Sequence, residues 1–206
     1  IILERYDGKL TAQEKEALAE EKNALYRRLL ANMSPADLSA EVKETLDALR
    51  GMGLKLAIGS SSKNTKFILS RLGLGDYFDA ISDGTNITRS KPDPQVFLMA
   101  ADFIGMKPET CLVVEDAKAG IQAAVAGGFD SAGLGEAAAC GMATYAMKTF
   151  GDLKGICGEF GELLPPPAGN SFRHDFGQLL PPPAGGPPPS RREVRGCYKL
   201  PKELPP

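Results

Sequence analysis

Two adjacent carboxylates, Glu115 and Asp116, end the apolar run Cys111-Leu112-Val113-Val114 and precede an Ala- and Gly-rich helical pattern over residues 117–126. A run of that kind is a buried strand that delivers acids to its C-terminal tip, the edge where open α/β sheets keep their ligand sites. Carboxylates there suit a hard, oxygen-seeking cation such as Mg2+; the plainer alternative is a solvated acidic loop that starts a helix. Two further segments precede this one in the chain. Ser60, within Gly59-Ser60-Ser61-Ser62-Lys63-Asn64, offers a hydroxyl beside backbone N–H groups at a helix start. That combination takes a phosphate oxygen, or simply caps the helix. Lys91, in Ser90-Lys91-Pro92-Asp93-Pro94, is either a point charge that neutralises a transferring phosphoryl group or an exposed lysine in a turn. Each signal is weak alone. In this order, on one alternating frame, they read as three walls of a phosphoryl-transfer site whose acids hold a cation bridging protein and phosphate.

The elements that must position these residues follow from periodicity. Residues 11–33 form a helix with a Thr11/Glu14 capping box and apolar Leu18, Leu25, Leu29 and Leu30. Ser34-Pro35 breaks it, and a second helix covers residues 39–50 before Gly51 and Gly53. Residues 54–58 read as a strand, 64–72 as a helix ending at Gly73, 77–82 as a short strand and 95–104 as a helix. The strand at 111–114, the helix after it and a last strand near 131–134 complete the series. Strands alternating with helices predict an α/β fold with a parallel sheet.

Composition sets the class. A 206-residue chain with 43% hydrophobic residues and net charge -2 suits one ordinary globular domain or a domain plus a small accessory piece, and its charge balance does not suggest nucleic acid or an anionic membrane as partner. Cys111, Cys140, Cys157 and Cys197 are scattered without metal-ligand spacing, which fits a reducing compartment. No apolar run has the length of a membrane helix and no signal peptide opens the chain, so the expected location is the cytoplasm. The single histidine, His174, lies between Arg173 and Asp175 and cannot build a His-based metal site or a Ser-His-Asp arrangement.

The character of the chain changes near residue 155. Of its 16 prolines, 12 lie beyond residue 160, and Leu-Leu-Pro-Pro-Pro-Ala-Gly occurs twice there. Residues 160–206 hold too little apolar surface to offset their ordering entropy and read as disordered or polyproline-like. The tail is passive, or not native to the domain, or a ligand for a module that recognises polyproline II helices.

The segments LAIGSSSKN, ISDGTNITRSKPDPQVF and CLVVEDAKAGIQAA resemble the second, third and fourth motifs of the haloacid dehalogenase superfamily, and within it the β-phosphoglucomutases, over about residues 10–150. Asn23, Tyr26 and Ser34-Pro35-Ala36-Asp37 are similar to that group's helical cap and its return to the core. The resemblance implies a Rossmann-like parallel sheet with helices on both faces. It divides the chain into a partial cap at 1–36, a core at 37–155 and the proline-rich tail at 156–206. It implies Mg2+-dependent phosphoryl transfer on a small phosphorylated sugar, converting β-glucose 1-phosphate to glucose 6-phosphate through a phospho-aspartate. In these roles Ser60 binds the transferring phosphate, Lys91 neutralises it, and Glu115 with Asp116 help to hold Mg2+. Ser62, Lys63 and Asn64, next to Ser61, hold the other phosphate, and Lys22 faces the substrate from the cap. A phosphatase of small phosphate esters is the neighbouring activity; a non-catalytic fragment or binding protein is the alternative from another class.

One feature of the superfamily has no counterpart. Its first motif is an apolar strand ending in Asp-x-Asp, which supplies nucleophile and acid/base, and no Asp-x-Asp occurs in the 206 residues. The expectation is an N-terminally truncated member, inactive alone. It would also lack the central strand between those ending at Ser60 and Glu115, leaving two unpaired edges inside a parallel sheet.

Overall fold

The computed structural model describes residues 8–161 and 197–198. Six strands form one parallel sheet in the order β2-β1-β6-β3-β4-β5. They are β1 (Ala57–Gly59), β2 (Ala80–Ser82), β3 (Leu112–Glu115), β4 (Asp130–Gly133), β5 (Tyr145–Ala146) and β6 (Cys197–Tyr198). The helices are α1 (Ala12–Leu30), α2 (Ala40–Gly51), α3 (Thr65–Arg71), α4 (Gln95–Phe103), α5 (Lys118–Ala126), α6 (Glu136–Ala139) and α7 (Leu153–Gly161). The α/β architecture with helices on both faces is the one the alternating pattern and the resemblance imply.

Strand alternation sorts the core. Leu112 and Val114 face one way, onto Leu46 and Leu49 of α2 and Leu153 of α7. Val113 and Ala57 face the other, onto Val96, Phe97 and Ala100 of α4 and Ala123 and Ala124 of α5. Ile58 packs with Leu69 of α3 and with Leu30, the one buried residue of α1. Both faces of β1 and β3 are therefore covered, which is why they read as continuous apolar runs rather than alternating ones.

Local chemistry places the boundaries. The Thr11/Glu14 capping box forms, and a second one, Ser34 with Asp37, holds the short 3-10 turn Pro35–Asp37 after α1. The first strand begins at Ala57 rather than residue 54, because the peptide of Leu56 is engaged by Asp79: its N–H donates to Asp79 Oδ2 at 2.7 Å and its carbonyl accepts from Asp79 N at 2.8 Å. Tyr77 and Phe78, read as the start of a strand, instead meet edge to face at 5.3 Å and precede β2.

The middle of the sheet corrects an expectation. The gap between β1 and β3 is not left open: β6 lies in it, parallel to both, with Tyr198 in register with Ile58 and Val114 and Cys197 with Val113. These residues belong to the segment read as a disordered or non-native tail, and α7 continues through residue 155 to Gly161. Backbone pairing between strands covered on both faces explains the recruitment, since their N–H and C=O groups have no water to turn to. The remaining residues of the tail, with His174 and both copies of the repeat, lie outside the described residues, as does the polyproline-ligand expectation. No helix among the described residues is long and apolar enough to cross a membrane.

Below the β1–β2 edge, Tyr77 donates its hydroxyl to Asp47 Oδ1 at 2.8 Å, while Lys43 and Arg50 lie 5.2 and 5.0 Å from its ring centroid. Partial burial first, and the hydrogen bond to the Asp47 carboxylate second, push the Tyr77 hydroxyl up from its ordinary 10 to about 12. The raised value means that the neutral phenol is favoured in the fold. Its contribution to stability is complete below about pH 10 and is lost as pH rises through about 12. In an alkaline ultraviolet titration, Tyr77→Phe is expected to remove one tyrosine that titrates near pH 12 and leave the rest of the curve in place.

Candidate active site

All six strands point the same way, so the residues that follow β1 and β3 share one edge of the sheet. Ser60 follows Gly59, and Glu115 ends β3 with Asp116 directly after it. Lys91 joins the two tips. Its Nζ donates to the Gly59 carbonyl at 3.0 Å and forms an ion pair with Glu115 Oε1, while lying 4.4 Å from the Phe97 ring centroid. The Lys91 side chain is 9% exposed and that of Glu115 is 0% exposed. A buried pair of this kind is retained because removing one partner strands the other charge out of water. The aromatic face below the ammonium adds an attraction that strengthens with desolvation.

Two glycines allow the close packing. A Cβ at Gly59 would lie 2.6 Å from Phe97 Cδ1, so only glycine lets the ring sit beneath Lys91. At Gly120, in the first turn of α5, a Cβ would overlap the Glu115 carboxylate, which turns onto the helix start near the Ala117 N–H at 3.5 Å.

The serine cluster is an ordered loop. Ser60 N donates to the Ser82 carbonyl at 2.9 Å, Ser62 N to Ser60 Oγ at 3.2 Å and Asn64 N to Ser62 Oγ at 3.1 Å. Thr65 Oγ1 donates to the Ser62 carbonyl at 2.8 Å. Gly84, after β2, braces the loop: its N–H donates to the Ser62 carbonyl, and a Cβ there would meet Ser61 O at 2.6 Å and Lys63 N at 2.8 Å. Ser61 and Lys63 are exposed, and their amide N–H groups make no hydrogen bond among the described residues. Ser60 does not cap α3, whose N-cap position is Asn64 without a side-chain cap hydrogen bond; its hydroxyl accepts from Ser62 N within the loop, at the strand tip beside two available donors, a setting suited to an anion.

The structure brings together Ser60, Ser61, Ser62, Lys63, Lys91 and Glu115, with Asp116 half-buried at the same edge. Asn64 is 5% exposed and donates through Nδ2 to Asn23 Oδ1 at 2.8 Å, tying α1 to the loop. Lys22, the neighbour of Asn23 on α1, is exposed. Phe97, Gly59, Gly84 and Gly120 were not singled out from the sequence. Gly84, within Ser82-Asp83-Gly84-Thr85, carries a legible turn signal; Gly59 and Phe97 answer to each other from distant parts of the chain, and Gly120 to the Glu115 carboxylate.

Mg2+ is implied by the resemblance, and the described residues do not fit it as a closed site. Glu115 is engaged by Lys91, and no group of three His, Cys, Asp or Glu gathers to hold an ion among the described residues. Two adjacent carboxylates fall short of the oxygen ligands such a cation takes.

A family model for haloacid dehalogenase-like hydrolases matches residues 2–128. The chain belongs to that family. Within it the chain is similar to the β-phosphoglucomutase of Bacillus subtilis, 38% identical over 130 residues that make up 63% of this chain and 58% of the relative. It is also similar to the fructose-1-phosphate phosphatase YqaB of Escherichia coli, 39% identical over 116 residues, 56% of this chain and 60% of that one. The crystal structure of a β-phosphoglucomutase from Clostridium difficile superposes with a TM-score of 0.71 at 31% identity, covering 79% of this chain and 74% of that chain. The chain thus spans less than two thirds of the length of either curated relative.

If Lys91 and Glu115 depend on each other, their substitutions are not additive. Lys91→Met alone is expected to cost about 3–5 kcal/mol in urea unfolding, and Lys91→Met with Glu115→Gln less than the sum of the single changes by about 0.5–3 kcal/mol. Gly84→Val, which drives a side chain into the 61–63 backbone, is expected to weaken any anion binding more than it lowers stability.

Proposed function

We propose that the strand-tip site grips the phosphate of a small phosphorylated sugar and belongs to a phosphoryl-transfer enzyme of the β-phosphoglucomutase type. The observation that carries this reading is the buried Lys91 ammonium between the Gly59 carbonyl and the Glu115 carboxylate, next to a loop with two available N–H donors. Ser60 and the Ser61 and Lys63 amides bind phosphate oxygens. Lys91 supplies fixed positive charge where negative charge develops, the usual largest contribution to such catalysis. Ser62 and Lys63 meet a second phosphate, and Lys22, exposed on α1, faces the substrate. Asn64 supports that grip indirectly, through Asn23.

Complete conversion of β-glucose 1-phosphate to glucose 6-phosphate needs an aspartate nucleophile, and none of the 206 residues is assigned that part. The expected behaviour of this polypeptide is binding without turnover. Mg2+ is kept as the proposed cofactor of the whole protein: Glu115 and Asp116 would be two of its ligands, and it would supply neutralisation of phosphate charge. The similarity to a fructose-1-phosphate phosphatase at comparable identity supports a phosphatase as the second reading; a second phosphate grip at Ser62 and Lys63 favours the mutase, which must hold a bisphosphate.

Calorimetry tests the reading. Glucose 6-phosphate is expected to bind, Lys91→Ala to abolish the heat, and Mg2+ at millimolar concentration to give no saturable signal with this polypeptide. A wild-type chain that ignores every sugar phosphate, or that turns over β-glucose 1-phosphate at about 1–10³ per second, contradicts it.

A further inference from the structure

Lys91 acts at the strand tips, but its backbone belongs to neither strand nor helix. Residues 83–94 run from the end of β2 to the start of α4 through turns and bends. An ammonium that must meet both the Gly59 carbonyl and Glu115 needs that segment held at a fixed offset, because a loop left to itself samples many conformations. Two side chains pin its start. Asp83 Oδ1 accepts from Thr85 N at 2.9 Å, and Asn86 Oδ1 accepts from Asp83 N at 3.0 Å. One side chain gathers its far half. Gln95, the first residue of α4, turns Oε1 back onto the segment, where it accepts from Thr88 N at 3.0 Å, Thr88 Oγ1 at 3.2 Å and Arg89 N at 2.8 Å. The two backbone donors fix which end of the amide faces them, since only its oxygen accepts. Asp93 closes the loop from the other side: Oδ1 accepts from Gln95 N at 2.9 Å, and Oδ2 forms an ion pair with Arg89 Nε at 2.8 Å. Lys91 lies between the two ends of this closed loop.

We propose that Gln95 is the positioning residue of Lys91: its amide oxygen holds the Thr88 and Arg89 peptides, and so sets where the Lys91 backbone stands relative to the β1 and β3 tips. The anchor is firm. Val96, Phe97, Ala100 and Ala101 of α4 are each no more than 1% exposed, so the start of that helix is fixed in the core. Phe97 is also the ring below the Lys91 ammonium. One helix therefore sets both ends of the lysine, its backbone through Gln95 and its charged head through Phe97. Gln95 acts through Lys91 and touches no reacting atom. The placement of Lys91 stands on these contacts alone; its consequence for phosphate rests on the phosphate-binding reading.

Lysine side-chain NMR on the full chain tests it. In the wild type the Lys91 ammonium protons are expected to exchange slowly with water, as buried and hydrogen-bonded groups do. Gln95→Leu removes the acceptor and is expected to speed that exchange by about tenfold, the effect of losing ordinary hydrogen bonds to Thr88 and Arg89. The backbone amides of Leu112, Val113 and Val114 are expected to keep their wild-type exchange. Gln95→Glu, which leaves an oxygen in place, is expected to restore slow exchange at Lys91. Gln95→Asn keeps the amide but draws it back by a methylene and is expected to behave as Gln95→Leu does, so the test stands where the leucine variant does not fold. Unchanged Lys91 exchange in these variants overturns the proposal, as does faster exchange spread equally over the β3 amides, or a Gln95→Glu chain that fails to rescue. Inorganic phosphate separates the two readings: a wild-type chain that ignores it contradicts the proposed function, while Lys91 exchange still decides this inference.

Discussion

A parallel sheet covered on both faces must pair its backbone from edge to edge, and that requirement governs this protein. β1 and β3 carry the site at their tips, so whatever fixes the spacing between them fixes Ser60, Lys91 and Glu115. The fold meets the requirement with two residues from far along the chain, Cys197 and Tyr198. At the end of the same gap, Lys91 closes the seam with a hydrogen bond to one tip and an ion pair to the other. Backbone pairing below and charge pairing above act on the same pair of strands.

That arrangement explains why the site combines rigidity with an exposed rim. Lys91 and Glu115 are buried against Phe97 and Gly120, where a fixed charge is little screened. Ser61 and Lys63 are exposed but braced by Gly84, so their amides are held in place without being consumed. α1 adds a hydrogen bond from Asn64 to Asn23 and the Arg27 guanidinium over the Phe67 ring, and buries Leu30.

Features governed by neighbours in sequence were legible. The capping box of α1, the break at Ser34-Pro35 and the buried β3 run all follow from short-range pattern. So did the shared edge of Ser60, Lys91 and Glu115, because parallel strands place their tips together. Features governed by distant contacts were not. β1 loses its first residues to Asp79, and Tyr77 and Phe78 pack as rings instead of extending β2. Two-residue β5 is too short to show a period, and Gly155 and Gly158 dilute the apolar stripe of α7. β6 was hidden altogether, since nothing in a proline-rich tail announces a central strand; only the unpaired inner sides of β1 and β3 call for one. Asn64 and Lys91 look alike in sequence as polar residues near strand tips, yet one is tied to α1 and the other to the tips of β1 and β3.

The central claim is that anion recognition belongs to the β1 and β3 tips. Chemical-shift mapping with inorganic phosphate tests it most directly. The account predicts that the amides of Ser61, Ser62 and Lys63 move together and saturate at one affinity, and that Lys91→Ala abolishes the response. Shifts that cluster on α1 or on the outer helices, or a response that survives Lys91→Ala unchanged, would contradict it.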